Sequence, residues 1–402
     1  IPNSSQIQVE QFTPASISLT NHHPTLLQSI HAGAFQANSD QLYWRGHGEK
    51  VIRQHPKNNH PQTVSEMNIK DKYAIVGVGN TPQGRVKDRT TMSFYLEASR
   101  NAILDAGLTR EDIDGLILYR QFPPLAGEEE ISPYEVAHLL GLSPNMLSQE
   151  ANCARTHLYH AISAIEAGLC KHVLVVYADN TGLSGRSESR SKSDRGVFGQ
   201  FAAVGDYAMA ARRGMFEFGT GPETWAEIAV AQRQWAQLNP DAYMYGKPMT
   251  HEDYYNIRYV AEPLRLADCC LISDGGRAYV VTTTERARDL KHPVVTVMGM
   301  GQHNPSTNVI QSDWMAGPTG AKKAGLTAMT TAGVSQGDID SCQIYDCFTY
   351  TVELTLQDLG FYGPGEGGDW IRETGIGPGG KMPVNTSGGQ LSEAYFMGLT
   401  PF

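Results

Sequence analysis

The sequence predicts an α/β fold assembled from two similar halves, and the prediction has three supports. Ala102 to Tyr119, AILDAGLTREDIDGLILY, aligns without a gap on Ala328 to Tyr345, AMTTAGVSQGDIDSCQIY. Ala328, Ala332, Gly333, Asp338, Ile339, Asp340 and Tyr345 fall on Ala102, Ala106, Gly107, Asp112, Ile113, Asp114 and Tyr119. Upstream of each copy, Ile75 to Gly79 (IVGVG) and Val295 to Gly301 (VTVMGMG) read as matching first strands. His172 to Ala178 (HVLVVYA) is continuously apolar, the pattern of a strand covered on both faces. Self-similarity at so long a spacing indicates two like halves packed together rather than a solenoid.

Each copy reads as a helix end, an Ala-Gly C-cap, a polar turn and a strand. The helix of the first copy spans Thr91 to Ala106, with apolar positions at Phe94, Ala98, Ile103 and Ala106. Leu116 to Tyr119 is the next strand, followed by a Pro-rich loop and a helix around Pro133 to Leu140. A further helix starts near Asn152 and ends at Gly168. Ser184 to Gly196 (SGRSESRSKSDRG) is polar, of low complexity and net basic, which reads as a solvated loop or as a basic lip for a phosphorylated ligand. Helical stretches run from Gly199 to Arg213 and from Glu223 to Leu238, and a strand, RAYVVTTT, follows Asp268 to Gly276 (DCCLISDGG). The second half starts at Val294. Near its end Asn385-Thr-Ser-Gly-Gly is a turn whose glycines admit close backbone approach, and a helix can open from Leu391.

Composition bounds the function. The 402 residues suffice for a large buried core, with 41% hydrophobic and 18% charged residues. A net charge of −10 argues against nonspecific nucleic-acid binding, which needs a basic face. No apolar run approaches the roughly 20 residues of a membrane span, and the first residues carry neither a basic nor an apolar signal region. Six scattered cysteines read as thiols of a reducing compartment, so a cytoplasmic location is expected. None has zinc-ligand spacing, and no metal or other cofactor is expected. Residues 1–70 differ from the rest, rich in His, Asn, Gln and Ser, and read as an N-terminal extension of undetermined role. Met67 would serve as a natural start.

Asp268 to Gly276 (DCCLISDGG), Ile344 to Tyr350 (IYDCFTY) and Pro383 to Ser392 (PVNTSGGQLS) together resemble the sterol-carrier-protein-type branch of the thiolase superfamily. The resemblance covers about Tyr73 to Phe402. It implies a thiolase-like fold, two duplicated α/β halves in a five-layered αβαβα arrangement. On that frame residues 71–292 are the N-terminal half, with a loop domain inserted at about 182–265. Residues 293–402 are the C-terminal half, and the family's last helix and strands are expected to be lacking from it.

Thiolase chemistry needs a nucleophilic Cys at a buried helix start and a Gly-His-Pro after the late Gly-Gly turn. Here the family spacing places Ala151 at the nucleophile position, with Cys153 two residues on, and Ala394-Tyr395-Phe396 replaces Gly-His-Pro. Tyrosine in IYDCFT (Tyr345) together with tyrosine in QLSEAY (Tyr395) is similar to the thiolase-like aldolases that cleave steroid side chains. Those enzymes split a tertiary β-hydroxyacyl coenzyme A thioester into a 17-ketosteroid and propionyl-CoA. They pair as homodimers and work with a small OB-fold, acyl-CoA-associated partner in a heterotetramer.

The resemblance thus implies Tyr345 and Tyr395 as catalytic residues. A retro-aldol step needs a base for the hydroxyl, donors for the thioester enolate and an acid for its carbon, and no covalent nucleophile. Backbone N–H groups around Gly388 and Gly389 are expected to hold the thioester oxygen. Asp346 either orients the site or caps the next helix. Cys153 and His157 are further candidates, although a packed thiol and a core histidine are their ordinary readings. Two other functions stay open: a thiolase or acyltransferase using Cys153, and a non-catalytic acyl-CoA or lipid binder.

Overall fold

Side-chain alternation along the strands decides how the first half packs. The structure, a computed structural model, describes residues 69–119, 130–150, 154–180, 199, 202–305 and 315–400, and the strands of one hairpin, β1 (Gly33–Asn38) and β2 (Gln41–Gly46). That hairpin is antiparallel, with Gly33 opposite Gly46 and Asn38 opposite Gln41. It belongs to a unit (Ile1–Ser65) separate from Glu66–Phe402. The histidines of the extension and the basic stretch Ser184 to Gly196 lie outside the described residues.

The main unit contains β3 (Tyr73–Asn80), α1 (Thr91–Asp105), β4 (Gly115–Tyr119), α2 (Pro133–Leu140), β5 (Met146–Glu150), α3 (Ala154–Glu166) and β6 (Val173–Asn180). Next come α4 (Ala202–Phe218), α5 (Pro222–Gln237), α6 (His251–Asn256), the short ribbon β7 (Tyr259–Ala261) and β8 (Leu264–Arg265), and β9 (Asp274–Thr283). α7 (Thr284–Ala287) and β10 (Val295–Thr296) lead into the second half, which holds α8 (Gly320–Ala332), α9 (Thr349–Asp358), α10 (Gly367–Thr374) and α11 (Gly389–Ser392).

The six-stranded sheet has the order β10-β3-β9-β6-β4-β5. β4 runs parallel to β5 and β6, and β9 is antiparallel to both of its neighbours. On one face Leu116, Leu118, Leu174, Val176 and Val280 pack with Phe94, Ala98 and Ala102 of α1. On the other, Ile117, Val173, Val175, Tyr177 and Val281 pack with Leu158, Ala161 and Ile162 of α3, and with Ala394 and Phe396 from the second half. Both faces of the sheet are therefore covered, as the apolar run His172 to Ala178 predicts.

The duplication is visible at a level finer than the alignment. A Cβ on Gly77 would lie 2.4 Å from Ala102 O, and one on Gly79 2.1 Å from Ala98 O. In the second half a Cβ on Gly299 would lie 2.2 Å from Ala328 O, and one on Gly301 1.9 Å from Ala324 O. In each half two glycines, in β3 and in the segment after β10, let an alanine-striped helix cross in backbone contact. Each helix then ends at a left-handed glycine, Gly107 at φ 73° and Gly333 at φ 67°. Each following turn is tied alike: the N–H and hydroxyl of Thr109 reach Asp112 at 2.8 and 2.7 Å, and those of Ser335 reach Asp338 at the same distances.

The strands of the second copy are shorter than the sequence predicts. Val295 to Gly301 is a strand only at Val295–Thr296, which pairs antiparallel with Ala74 and Ile75. The segment matching β4 contributes one bridge, Cys342 to Val384. A strand is stabilised by neighbours that take its backbone groups. β4 has β5 and β6, whereas the segment at Cys342 meets Val384. The helix expected from Leu391 is the four-residue α11. Among the described residues no helix is long and apolar enough to cross a membrane.

The crossing geometry is testable in both halves. Gly79→Ala and Gly301→Ala each force a methyl into helix backbone, an overpacking expected to cost about 1–3 kcal/mol. Denaturant melts should show both losses. A change within about 0.5 kcal/mol of wild type, the range of ordinary surface substitutions, would contradict the crossing in that half.

Candidate active site

The two tyrosines that the sequence singles out lie 50 residues apart and meet through their hydroxyls, 3.0 Å between oxygens. Tyr345 is carried by the segment after the bridge at Cys342. Here Cys342 N–H donates to Pro383 O, Asn385 N–H to Cys342 O, both at 2.9 Å, and Ile344 N–H to Asn385 Oδ1 at 2.6 Å. Asn385 takes φ 50°, a left-handed conformation that asparagine tolerates better than most residues.

Asp346, beside Tyr345, is fully buried, and its carboxylate accepts the N–H groups of Gln390 (2.9 Å) and Leu391 (3.2 Å). It therefore caps α11, the helix leading to Tyr395, and not the helix that follows it in sequence. Glycine is required for this approach: a Cβ on Gly389, at φ 61°, would lie 2.2 Å from Asp346 Oδ2. One on Gly388 would lie 2.8 Å from Ala236 Cβ of α5. Gly388 N–H is spent within the turn, on Asn385 O at 2.9 Å. The expected pair of donors for a thioester oxygen thus narrows to Gly389.

Asp268 to Gly276 grips both tyrosine segments. Asp268, with no exposure, accepts from Thr349 Oγ1 at 2.7 Å, Tyr254 Oη at 2.9 Å and Arg265 N–H at 2.7 Å. It joins α6 to the start of α9, four residues beyond Tyr345. Cys270 N–H donates to Cys347 O and Leu271 N–H to Gln390 O, both at 2.9 Å. Ser273 Oγ accepts the Tyr395 N–H at 3.1 Å. Gly275, at φ 138°, leaves room for the Phe396 ring, whose Cζ would lie 2.8 Å from a Cβ there. The sequence marks this motif as family-like, but its role as a clasp shows only when both partners are placed.

Burial sets the electrostatics. It drives the Tyr345 phenol well above the ordinary tyrosine range, with Tyr395, Cys347 and Cys270 adding to the rise. It pushes the Cys269 and Cys347 thiols up to about 12 and Cys342 to about 11, so these stay protonated and non-nucleophilic at neutral pH. His157 is fully buried, edge-on to Tyr119 at 4.5 Å between ring centroids, and burial lowers it to about 4. It is a neutral ring packed on the first half's aromatic core. Cys153 lies outside the described residues. Among the described residues no group of His, Cys, Asp or Glu is arranged to hold a metal ion.

The two-half α/β scaffold, with the hydroxyls of Tyr345 and Tyr395 in contact, is similar to known thiolase-like proteins. Residues 301–400 match the family described as Thiolase C-terminal domain-like. The steroid side-chain-cleaving aldolase of Thermomonospora curvata is 34% identical over 347 residues, covering 81% of this chain and 87% of that protein. The 17-hydroxy-3-oxo-4-pregnene-20-carboxyl-CoA lyase of Mycobacterium tuberculosis is 34% identical over 355 residues, covering 82% and 89%. The solved Ltp2-ChsH2(DUF35) aldolase superposes with a TM-score of 0.75 at 32% identity, covering 83% of this chain and 88% of that one. The chain belongs to the thiolase superfamily, in the branch of the thiolase-like steroid side-chain-cleaving aldolases.

Asp346 yields a pH signature. Burial raises it from 3.8 to about 6 against the pull of its N–H donors. The folded chain therefore holds this proton more tightly than the unfolded chain. The group's contribution to stability is fully present below the unfolded value and is lost as pH rises through about 6. Asp346→Asn should flatten that limb of a stability–pH profile measured by denaturant melts. An unchanged slope over this window would contradict the assignment.

Proposed function

We propose that this thiolase-like aldolase performs retro-aldol cleavage of a β-hydroxyacyl-CoA, a 17-hydroxy steroid side-chain thioester, giving a 17-ketosteroid and propionyl-CoA. The observation that carries the reading is the 3.0 Å contact between the Tyr345 and Tyr395 hydroxyls. Two phenols in contact form a proton path without a nucleophile. One end takes the β-hydroxyl proton as the Cα–Cβ bond breaks, and the other returns a proton to the enolate carbon. Gly389 N–H serves the thioester oxygen as it gains charge.

The acyltransferase alternative rests on Cys153, since burial keeps the Cys269 and Cys347 thiols protonated. The third alternative, an acyl-CoA binder without turnover, leaves the hydroxyl contact without a use. No cofactor is required beyond the coenzyme A of the substrate. A small OB-fold, acyl-CoA-associated partner is proposed by likeness to the Ltp2-ChsH2(DUF35) aldolase. The homodimer is proposed through β5, the outer strand of the sheet, whose five residues are all half-buried. An open strand edge is a template for pairing. A cytoplasmic location is proposed on the free thiols at Cys170, Cys269, Cys270, Cys342 and Cys347.

Tyr345→Phe and Tyr395→Phe should each lose at least about 100-fold in turnover, the lower bound for a proton-transfer group, while acyl-CoA binding is kept. Cys153→Ala should lose much less. Steady-state kinetics with the OB-fold partner present would check this. Loss of activity in Cys153→Ala with both tyrosine variants near wild type would replace this mechanism with acyl transfer. Light scattering at micromolar concentration should report a dimer, and a monomer would contradict pairing through β5.

A further inference from the structure

α11 is a single helical turn, Gly389–Ser392, and one turn has no cooperative stability of its own. What grips its two ends therefore decides where Tyr395, just beyond it, stands. Asp346 takes the N–H groups at the start. At the other end Glu393 forms the C-cap, and its carboxylate pairs with the guanidinium of Arg277, carried by β9 of the first half. The two side chains are only 5% and 12% exposed. The backbone there is held as well, with Tyr243 N–H on Glu393 O at 2.9 Å and Met244 N–H on Ser392 O at 3.1 Å.

Arg277 reaches past that pair. Its Nη1 donates to Thr400 O at 3.1 Å, and its Nη2 donates to Gln83 Oε1 at 3.2 Å as well as to Glu393. The guanidinium lies over the Phe396 ring, 5.4 Å from the centroid, within cation–π range. Gln83 in turn donates to Asp241 O at 2.6 Å. Thr400 is itself a tie, since its Oγ1 accepts Phe396 N–H at 3.1 Å and donates to Ala394 O at 2.8 Å. One side chain of the first half thus holds Glu393, Phe396 and Thr400, on both sides of Tyr395. A buried ion pair is weak evidence for stability, because desolvation offsets its attraction. A guanidinium, however, serves several acceptors at fixed angles, as an ammonium does not.

We infer that Arg277 is a positioning residue for the cleavage: it braces the segment bearing Tyr395 from both sides and so keeps that phenol at the Tyr345 hydroxyl. The inference rests on the retro-aldol reading above and adds a first-half side chain that sets the spacing of the pair. Proton transfer is steep in distance, so a brace of this kind acts on turnover and leaves acyl-CoA binding alone.

Steady-state cleavage of a 17-hydroxy steroid side-chain CoA thioester, by the full chain with the proposed OB-fold partner, tests the brace. Here kcat is taken per folded molecule from parallel denaturant melts. Arg277→Lys keeps a charge opposite Glu393 and loses the fork. It should lower kcat by up to roughly 100-fold, the cost of about 1 Å of misplacement, with KM unchanged. Arg277→Met combined with Glu393→Leu removes both charges, an exchange often neutral for stability. It should keep the fold and still lose kcat, because Thr400 O and Gln83 are released. Wild-type kcat per folded molecule in either variant would overturn the positioning role, and so would a loss carried by KM alone. In both cases cleavage by the wild-type chain leaves the retro-aldol reading in place. A wild-type chain that cleaves no such thioester would overturn that reading and this inference with it.

Discussion

The carboxylate of Asp346 on the first N–H groups of α11 is the interaction on which the site depends. It fixes the segment bearing Tyr345 to the helix leading to Tyr395. Hydrogen bonds to a charged group contribute about 1.5–3 kcal/mol each, but their value here lies in registration. Tyr345 is one residue from Asp346, and Tyr395 is five from Gln390, so little slack remains between the phenols. The glycine at 389 is the steric condition for the contact. Asp268 to Gly276 supplies the second hold, binding Thr349 on one side and the Tyr395 N–H on the other. Two independent clasps converge on one 3.0 Å contact.

The replacement of thiolase chemistry is coherent in these terms. An acyl-enzyme mechanism needs a thiol whose pKa is lowered and a histidine able to take its proton. The Cys269 and Cys347 thiols are raised instead, and His157 is held neutral against Tyr119. The same burial is harmless to a retro-aldol relay between hydroxyls, which moves protons without holding charge. The loop-domain helices contribute by contact: the Tyr254 hydroxyl reaches Asp268, the Tyr207 ring packs on Phe348 at 4.5 Å, and Trp225 packs on Tyr350 at 6.0 Å.

Much of the fold was legible because it repeats. The Ala-Gly signature of the two copies accompanies paired glycines crossed by an alanine-striped helix, and both sets of residues stand in the sequence. Helix limits at Pro133–Leu140 and Thr91–Asp105 follow from their caps, Ser132 and Thr90. The second copy's strands were over-read, since a strand exists by virtue of neighbours that local pattern does not reveal. At the site, Tyr345 and Tyr395 were found through family-like positions, because nothing in a 50-residue separation announces a contact. The target of Asp346 was not legible, as it is a helix reached through space.

Product analysis tests the central claim most directly, because the two chemistries differ in what they consume. A retro-aldol cleavage needs no free coenzyme A, whereas thiolysis cannot proceed without it. Mass spectrometry of a 17-hydroxy steroid side-chain CoA thioester, incubated with the chain and the proposed OB-fold partner in the absence of free coenzyme A, should show equal amounts of the 17-ketosteroid and propionyl-CoA. Intact substrate under those conditions, with acyl products appearing only when free coenzyme A is added, would contradict the account.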